Sequence, residues 1–301
     1  MFRRCRSSKA WPATIIGSLS TNFKGSGGIV VASFQWPDGY HSAALLTFDI
    51  DGVVGFEGSA VGSLANRPSV RSLAEYEPAI AIPRILRWLE EEQLPATFFV
   101  PGRMAELYPE TIRAIAEQGY EIGHHGHFHV KPDRVSDDEE RAEIELALPV
   151  LERVSGQKMI GSRVPGWAPS AKTLSLLAEH GILYDSSLMG DDGPYRTPEG
   201  LLEIPCTWWM DDWEQWGYLP FAGWEYPMND PRQVMSLWTA HFEGSHDVGG
   251  AFVLTLHPWI SGRPGFLRVI AETVKAWRRL YPDVWWASCR DVYNHAVSTK
   301  Q

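Results

Sequence analysis

Cysteine is scarce: Cys5, Cys206 and Cys289 are the three in 301 residues. They are far apart and odd in number, and no C-x-x-C pair exists to hold zinc or run redox chemistry. Reduced, buried thiols in a cytoplasmic protein are the reading this supports. Positive charge is in deficit too. Against 37 acidic residues stand 27 Lys and Arg, a formal net charge of −10, so no basic footprint for nucleic acid is expected and an anionic polymer is disfavoured as a partner. Long apolar runs are also missing. None reaches the ~18 residues of a membrane-crossing helix, so no membrane partner is expected. The motif H-E-x-x-H is absent, which excludes the zinc-protease helix. Internal repeats, low-complexity tracts and linkers are absent as well.

What remains is an ordinary globular composition, 44% hydrophobic and 21% charged, which can bury one sizeable core. The length suits either two average domains or a single large α/β barrel. At the N-terminus Arg3, Arg4, Arg6 and Lys9 precede "WPATIIGSL", a weak likeness to a secretion signal. Pro12, Thr14, Gly17 and Ser18 spoil its apolar middle, and no A-x-A site follows. Export is therefore the lesser reading. Residues 1–34 are expected to be an extension, outside one folded domain over 35–301.

From Ala43 onward, short β-rich runs alternate with segments of helical period. Strands are expected at 43–49, 96–101, 121–125, 159–165, 182–187, 201–205, 251–257 and 284–288. Helices are expected at 77–93, 105–119, 136–154, 170–180, 231–244 and 265–280, with a last one ending near Val297. In the first of these Ile80, Ile85, Leu86 and Leu89 share one side. The alternation predicts an α/β fold, a distorted (β/α) barrel of about seven parallel strands in a single domain. The rhythm breaks once, over residues 206–230, "CTWWMDDWEQWGYLPFAGWEYPMND". An irregular, Trp-rich insertion of this length reads as a binding loop.

A barrel's chemistry sits at the C-terminal ends of its strands. Four short motifs fall at such ends. "TFDIDG" (47–52) places Asp49 and Asp51 two apart, where period 2 would aim both carboxylates to one side. "HHGHFH" (124–129) holds four of the ten histidines. Within it, His125 and His129 have the H-x-x-x-H spacing that lets two imidazoles meet at one point. "SRVPGW" (162–167) offers Arg163, and "LTLHPW" (254–259) offers His257. Each has a plain structural alternative: an Asx turn, a packed histidine, a strand-end cap.

Taken together and in this order, the four motifs resemble those of the polysaccharide deacetylase superfamily, and the resemblance spans residues 35 to 297. It implies Asp49 as catalytic base and Arg163 as the group that orients it, with His257 as general acid. It implies Asp51, His125 and His129 as ligands of a divalent metal. Zinc is the first expectation, with Co, Ni or Mn as alternatives. A backbone N–H near Gly166 or Trp167 would face the oxyanion. Trp167, Trp209, Asp211, Asp212 and Trp213 are candidate substrate contacts, and Trp208, Trp216 and Trp224 could add to that aromatic wall. His124 and His127 fall at variable family positions, and one of them could line the pocket.

The implied reaction is hydrolysis of a non-peptide C–N bond, deacetylation of an N-acetylated sugar or related amide. The spaced D-x-D and the late "HPWISGRPG" resemble a subgroup containing peptidoglycan deacetylase homologues, cyclic imide hydrolases and allantoinase-like enzymes. Some of that subgroup work without metal. A small cyclic imide or ureide is thus the alternative substrate, and an inactive binding protein on this scaffold is the alternative of another class. A homo-oligomer with shared pocket walls is the assembly the resemblance suggests.

Overall fold

The computed structural model describes residues 34–57, 64–220 and 223–300. Except for Phe34, the expected N-terminal extension lies outside the described residues. Phe34 itself packs its ring 4.6 Å from that of Trp36.

The sheet is built outward from β1 (Ser42–Asp49), whose eight residues are all buried. Along one edge β1 runs parallel to β8 (Ala251–Leu256). Its other edge is shared: β9 (Val284–Trp286) lies beside Ser42–Ala44, and β2 (Thr97–Val100) beside Thr47–Asp49. Beyond β2 follow β3 (Glu121–His124), β4 (Gly161–Ser162), β5 (Tyr184–Asp185) and β7 (Leu202–Glu203), all parallel. Among the described residues only β6 (Tyr195–Arg196) runs antiparallel, paired with β7. The mostly parallel sheet curls into a half-barrel, so the expected barrel class holds, with eight parallel strands among the described residues in place of about seven.

Strand parity decides where the chemistry goes. Successive side chains of a strand point to opposite faces. On β1, Ala44, Leu46 and Phe48 join the larger core beneath the helices, whereas Ala43 and Leu45 join a second cluster inside the curl. Thr47 and Asp49 continue this inner set. On β8, Phe252, Leu254 and Leu256 face outward and Val253 inward, and Thr255 and His257 extend the inner row.

The helices are α1 (Gly52–Phe56), α2 (Pro68–Tyr76), α3 (Ile82–Glu92), α4 (Gly102–Leu107), α5 (Pro109–Glu117), α6 (Asp137–Ser155), α7 (Thr173–Glu179), α8 (Asp212–Trp216), α9 (Pro231–Asp247), α10 (Pro258–Ser261), α11 (Pro264–Leu280) and α12 (Cys289–Thr299). Helices α1, α2 and α10 were not expected from the sequence, and two of the expected helices differ, each because of a proline. A π-helical turn, Glu77–Ala81, joins α2 to α3. Pro78 has no N–H for the α ladder, and the wider turn lets the chain continue. The extra residue also rotates Ile80 out of the expected apolar side, to 45% exposure. The single helix expected over 105–119 is divided at Tyr108, since the residue before Pro109 is pushed out of helical conformation. The insertion, expected to be irregular, contains a 3-10 turn (Trp208–Met210), α8, and a parallel bridge from Asp211 to Thr255 of β8. No helix among the described residues is long and apolar enough to cross a membrane.

Candidate active site

At the C-terminal mouth of the curl lies a cavity of about 530 Å³, lined by Asp49, Asp51, His125, His129, Trp167 and His257 among others. Asp49 ends β1, while His125, Arg163 and His257 each follow the last residue of β3, β4 and β8. Asp51 lies beyond the strand, in helical conformation at the start of α1, yet it reaches the same cavity as Asp49. Ile50 between them is fully buried in the outer core, which explains the spaced D-x-D: the intervening residue points away from the site. Gly52 follows with φ +44°, and a Cβ there would lie 2.4 Å from the Met104 methyl and 2.8 Å from Glu77 Oε1. The motif glycine is needed on both grounds.

Asp51, His125 and His129 converge as expected. Asp51 Oδ1 is 3.4 Å from His125 Nε2 and 3.0 Å from His129 Nε2. His125 Nδ1 lies 2.6 Å from the Arg163 carbonyl, which can only accept, so the ring carries its proton at Nδ1 and turns Nε2 toward the shared point. Burial alone would push the Asp51 carboxyl up, but the His129 and His125 rings outweigh it and hold it well below the ordinary value. Burial likewise opposes charge on His125, and Asp49 and Asp51 overcome it, so the ring is raised. The centre therefore attracts positive charge. Asp51 Oδ1 is buried without a hydrogen-bond partner, and three donor atoms of hard and borderline character lie within 4.8 Å of one another. This set fits a divalent cation with three protein ligands.

Arg163 is fully buried, and all three of its guanidinium nitrogens donate. Nη1 donates to Asp49 Oδ1 at 2.9 Å and to Thr47 Oγ1 at 2.8 Å; Nε and Nη2 donate to the Ser186 carbonyl and hydroxyl. Its guanidinium lies 4.4 Å from the Phe99 ring centroid. Burial works against this charge, but Asp49 beside it raises the guanidinium further. Asp49 is thus held by one oxygen, and its Oδ2 lies 4.0 Å from His125 Nε2.

His257 faces Asp51 with Nε2, 3.6 Å from Oδ2, and turns Nδ1 inward to Asp212 Oδ1 at 2.8 Å. Asp212 also accepts the His257 backbone N–H at 2.9 Å and the Ser261 hydroxyl. Burial disfavours the charged ring, yet Asp211 and Asp212 prevail and hold it well above the ordinary imidazole value. Asp212 therefore sits behind His257, with no exposed surface, and not at the substrate face as the sequence suggested. Trp209 departs likewise: it lies outside the cavity, stacked on His241 at 6.3 Å, its carbonyl accepting from Trp238 Nε1. Its neighbour Trp208 lines the cavity in its place, together with Trp167, Asp211 and Trp213. Trp213 sets its ring edge-on to His257 at 5.6 Å. The Trp167 N–H expected at the oxyanion donates instead to the Val164 carbonyl at 3.0 Å, which leaves Gly166 as the candidate.

Neither His124 nor His127 lines this cavity. His124 bonds Ser162 Oγ at 2.9 Å, and burial, with His125 beside it, brings its pKa down to about 3, so it is neutral. His127 is also lowered, chiefly by burial.

Two supporting carboxylates carried no motif. Glu143 of α6 accepts the consecutive backbone N–H groups of His127 and Phe128 at 2.8 and 2.7 Å. Glu77, fully buried in the π turn, accepts the Trp259 N–H at 3.4 Å. Burial, and next the Asp51 charge, push its carboxyl well above the ordinary value.

Residues 74–184 match the polysaccharide deacetylase family. A peptidoglycan deacetylase of Helicobacter pylori is 28% identical over 248 residues, 73% of this chain and 84% of the relative. Among solved structures, a Mycobacterium smegmatis protein assigned as a polysaccharide deacetylase superposes with a TM-score of 0.85 at 37% identity, covering 89% of this chain and 94% of its own. The allantoinase Puue superposes with a TM-score of 0.75 at 21% identity, covering 88% and 93%, a likeness of fold alone.

Proposed function

This chain belongs to the polysaccharide deacetylase family, hydrolases of carbon–nitrogen amide bonds, and from that membership we propose that it removes acetyl from an N-acetylated sugar. The observation that carries the reading is the meeting, in one cavity, of the Asp51–His125–His129 donor set with the Asp49–Arg163 and His257–Asp212 pairs. A divalent metal held by Asp51, His125 and His129 would supply Lewis acidity toward the acetyl carbonyl and activate a water; zinc suits two imidazoles and a carboxylate. Asp49, fixed at Oδ1 by Arg163, takes the proton of the attacking water. His257, fixed at Nδ1 by Asp212, delivers a proton from Nε2 to the departing nitrogen, without which an amine leaves very slowly. Trp167, Trp208 and Trp213 offer faces to the sugar ring.

The same aromatic-walled cavity of about 530 Å³ also favours a second reading, ring opening of a small cyclic imide or ureide. Acetate release from a chitooligosaccharide and hydrolysis of succinimide, each with metal and with chelator, separate the two. Release of acetate that stops on chelation and returns with Zn²⁺ is expected. Ring opening without acetate release would establish the second reading, and turnover of neither would refute both.

A further inference from the structure

We propose that Glu77 is a positioning residue: one buried carboxylate ties the loop of Asp51 to the loop of His257 and so fixes the metal ligand and the proton donor relative to each other. This rests on the roles given to Asp51 and His257 in the deacetylase reading. Glu77 is fully buried and does not line the cavity, so it reaches the reaction only through other groups. The two loops leave the neighbouring strands β1 and β8, and each turns at once into a short helix, α1 or α10. Gly52 opens α1 directly after Asp51. Trp259 carries the first N–H of α10 after His257, since Pro258 has none. Glu77 meets both loops: Oε2 accepts the Trp259 N–H at 3.4 Å, and Oε1 lies against Gly52, where a Cβ would stand 2.8 Å from it. Burial and the Asp51 charge oppose ionisation of this carboxyl, while the His257 charge and the N–H groups of Trp259 and Gly52 work the other way.

The far end of α10 is fastened to the same support. Arg84 of α3 and Tyr76 of α2 donate to the Gly262 carbonyl at 2.6 and 3.1 Å. Gly262 approaches the π turn so closely that a Cβ there would lie 2.5 Å from the Ala81 Cβ. Between the two ends, Ser261 donates to Asp212, which holds His257. The π turn and its flanking helices thus carry the platform of the proton donor, and Glu77 extends that support to Asp51. The arrangement is costly. Glu77 Oε1 is buried without a hydrogen-bond partner, and a buried carboxyl with an unmade bond lowers stability. An apolar side chain of similar volume would serve packing alone better.

The test uses Glu77→Met, which removes both acceptor oxygens but keeps an unbranched chain, and Glu77→Gln, which keeps one acceptor. In Glu77→Met, Zn²⁺ affinity by chelator competition should fall about tenfold, and the visible absorption band of the Co²⁺-loaded protein should shift as the ligand geometry changes. On a chitooligosaccharide kcat should fall by at least about tenfold with little change in KM, because Glu77 touches no substrate. Tm should hold or rise, which separates positioning from packing, where stability and activity would fall together. Glu77→Gln should recover Zn²⁺ affinity to within a few-fold of the wild type. Wild-type Zn²⁺ affinity with an unmoved Co²⁺ band in folded Glu77→Met would overturn the proposal. Should Glu77→Met not fold, Glu77→Asp decides: its carboxylate is drawn back by one methylene and cannot span both loops, so an unmoved band there overturns the proposal equally. Weakened Zn²⁺ binding and a shifted band, with no acetate released by the wild type, would retain the hold of Glu77 on the metal ligand and reject the deacetylase reading.

Discussion

Replacing Glu143 by alanine should weaken metal binding without touching a ligand. The loop from His125 to His129 contains two left-handed residues, Gly126 at φ +69° and His129 at φ +57°. For a histidine that conformation costs about 1–2 kcal/mol, so something must hold it. Two helices do. The first turn of α4 donates from Gly102 and Arg103 to the carbonyls of Gly126 and His127, at 2.9 and 3.1 Å. On the other side one oxygen of Glu143 takes the N–H groups of His127 and Phe128. Each such bond to a charged acceptor contributes about 1.5–3 kcal/mol, enough together to exceed the cost of the left-handed His129. Without Glu143 the loop can relax, and His129 Nε2 loses its aim at Asp51. Losses of about 10- to 100-fold in metal affinity are usual when a group that orients a ligand is removed, or about 1.4–2.8 kcal/mol. Competition with a chromophoric chelator measures this directly, and thermal melting separates it from global unfolding. Glu143→Gln, whose amide oxygen can still accept both bonds, should bind within a few-fold of the wild type. A folded Glu143→Ala protein with undiminished Zn²⁺ affinity would refute the reasoning.

Asp49→Asn should keep its metal, by elemental analysis, and lose about 10²- to 10⁴-fold in kcat, the usual range for a positioned base; retained turnover would remove Asp49 from that role. Asp212→Asn should lower kcat by at least about 10²-fold with little change in KM, because the amide cannot hold the His257 Nδ1 proton as a carboxylate does. Wild-type kcat would show that Asp212 is only structural. Asp185 and Glu203 adjoin on β5 and β7, and burial pushes both carboxyls up, Asp185 to about 6 and Glu203 well above its ordinary value, with the Asp185 charge adding to the latter. Their unfolded values are near 4, so between there and the folded values the native state binds more protons, and stability falls as pH rises. Glu203→Gln should therefore flatten the decline of Tm from about pH 4 to pH 7. A decline as steep as the wild type's would show that the pair does not set it.

The sheet and the reacting side chains were legible because both follow period 2. Apolar runs mark β1 and β8, whose inner rows end through a threonine on Asp49 and His257, and His125 follows the last residue of β3. The resemblance named their roles, and the geometry brings Asp51, His125 and His129 within 4.8 Å. What stayed hidden was whatever depends on contacts between distant segments. Asp211 and Asp212 look alike in sequence, adjacent acids in a tryptophan-rich stretch. The parallel bridge of Asp211 to Thr255 lays this segment against β8, Asp212 opens α8 beside it, and both carboxylates approach His257 Nδ1, at 3.3 and 2.8 Å. Asp211 lines the cavity, and Asp212 turns under His257. Their difference is a register across 44 residues of chain, set by a pairing that no local pattern encodes. Glu143 is hidden for another reason. It stands among Glu139, Glu140 and Glu145 in α6, where a run of acids reads as solvated helix surface, and only the fit of α6 against the histidine loop selects one of them. A carboxylate that binds backbone N–H groups constrains the partner's conformation, not its residue type, and so leaves no mark in a motif.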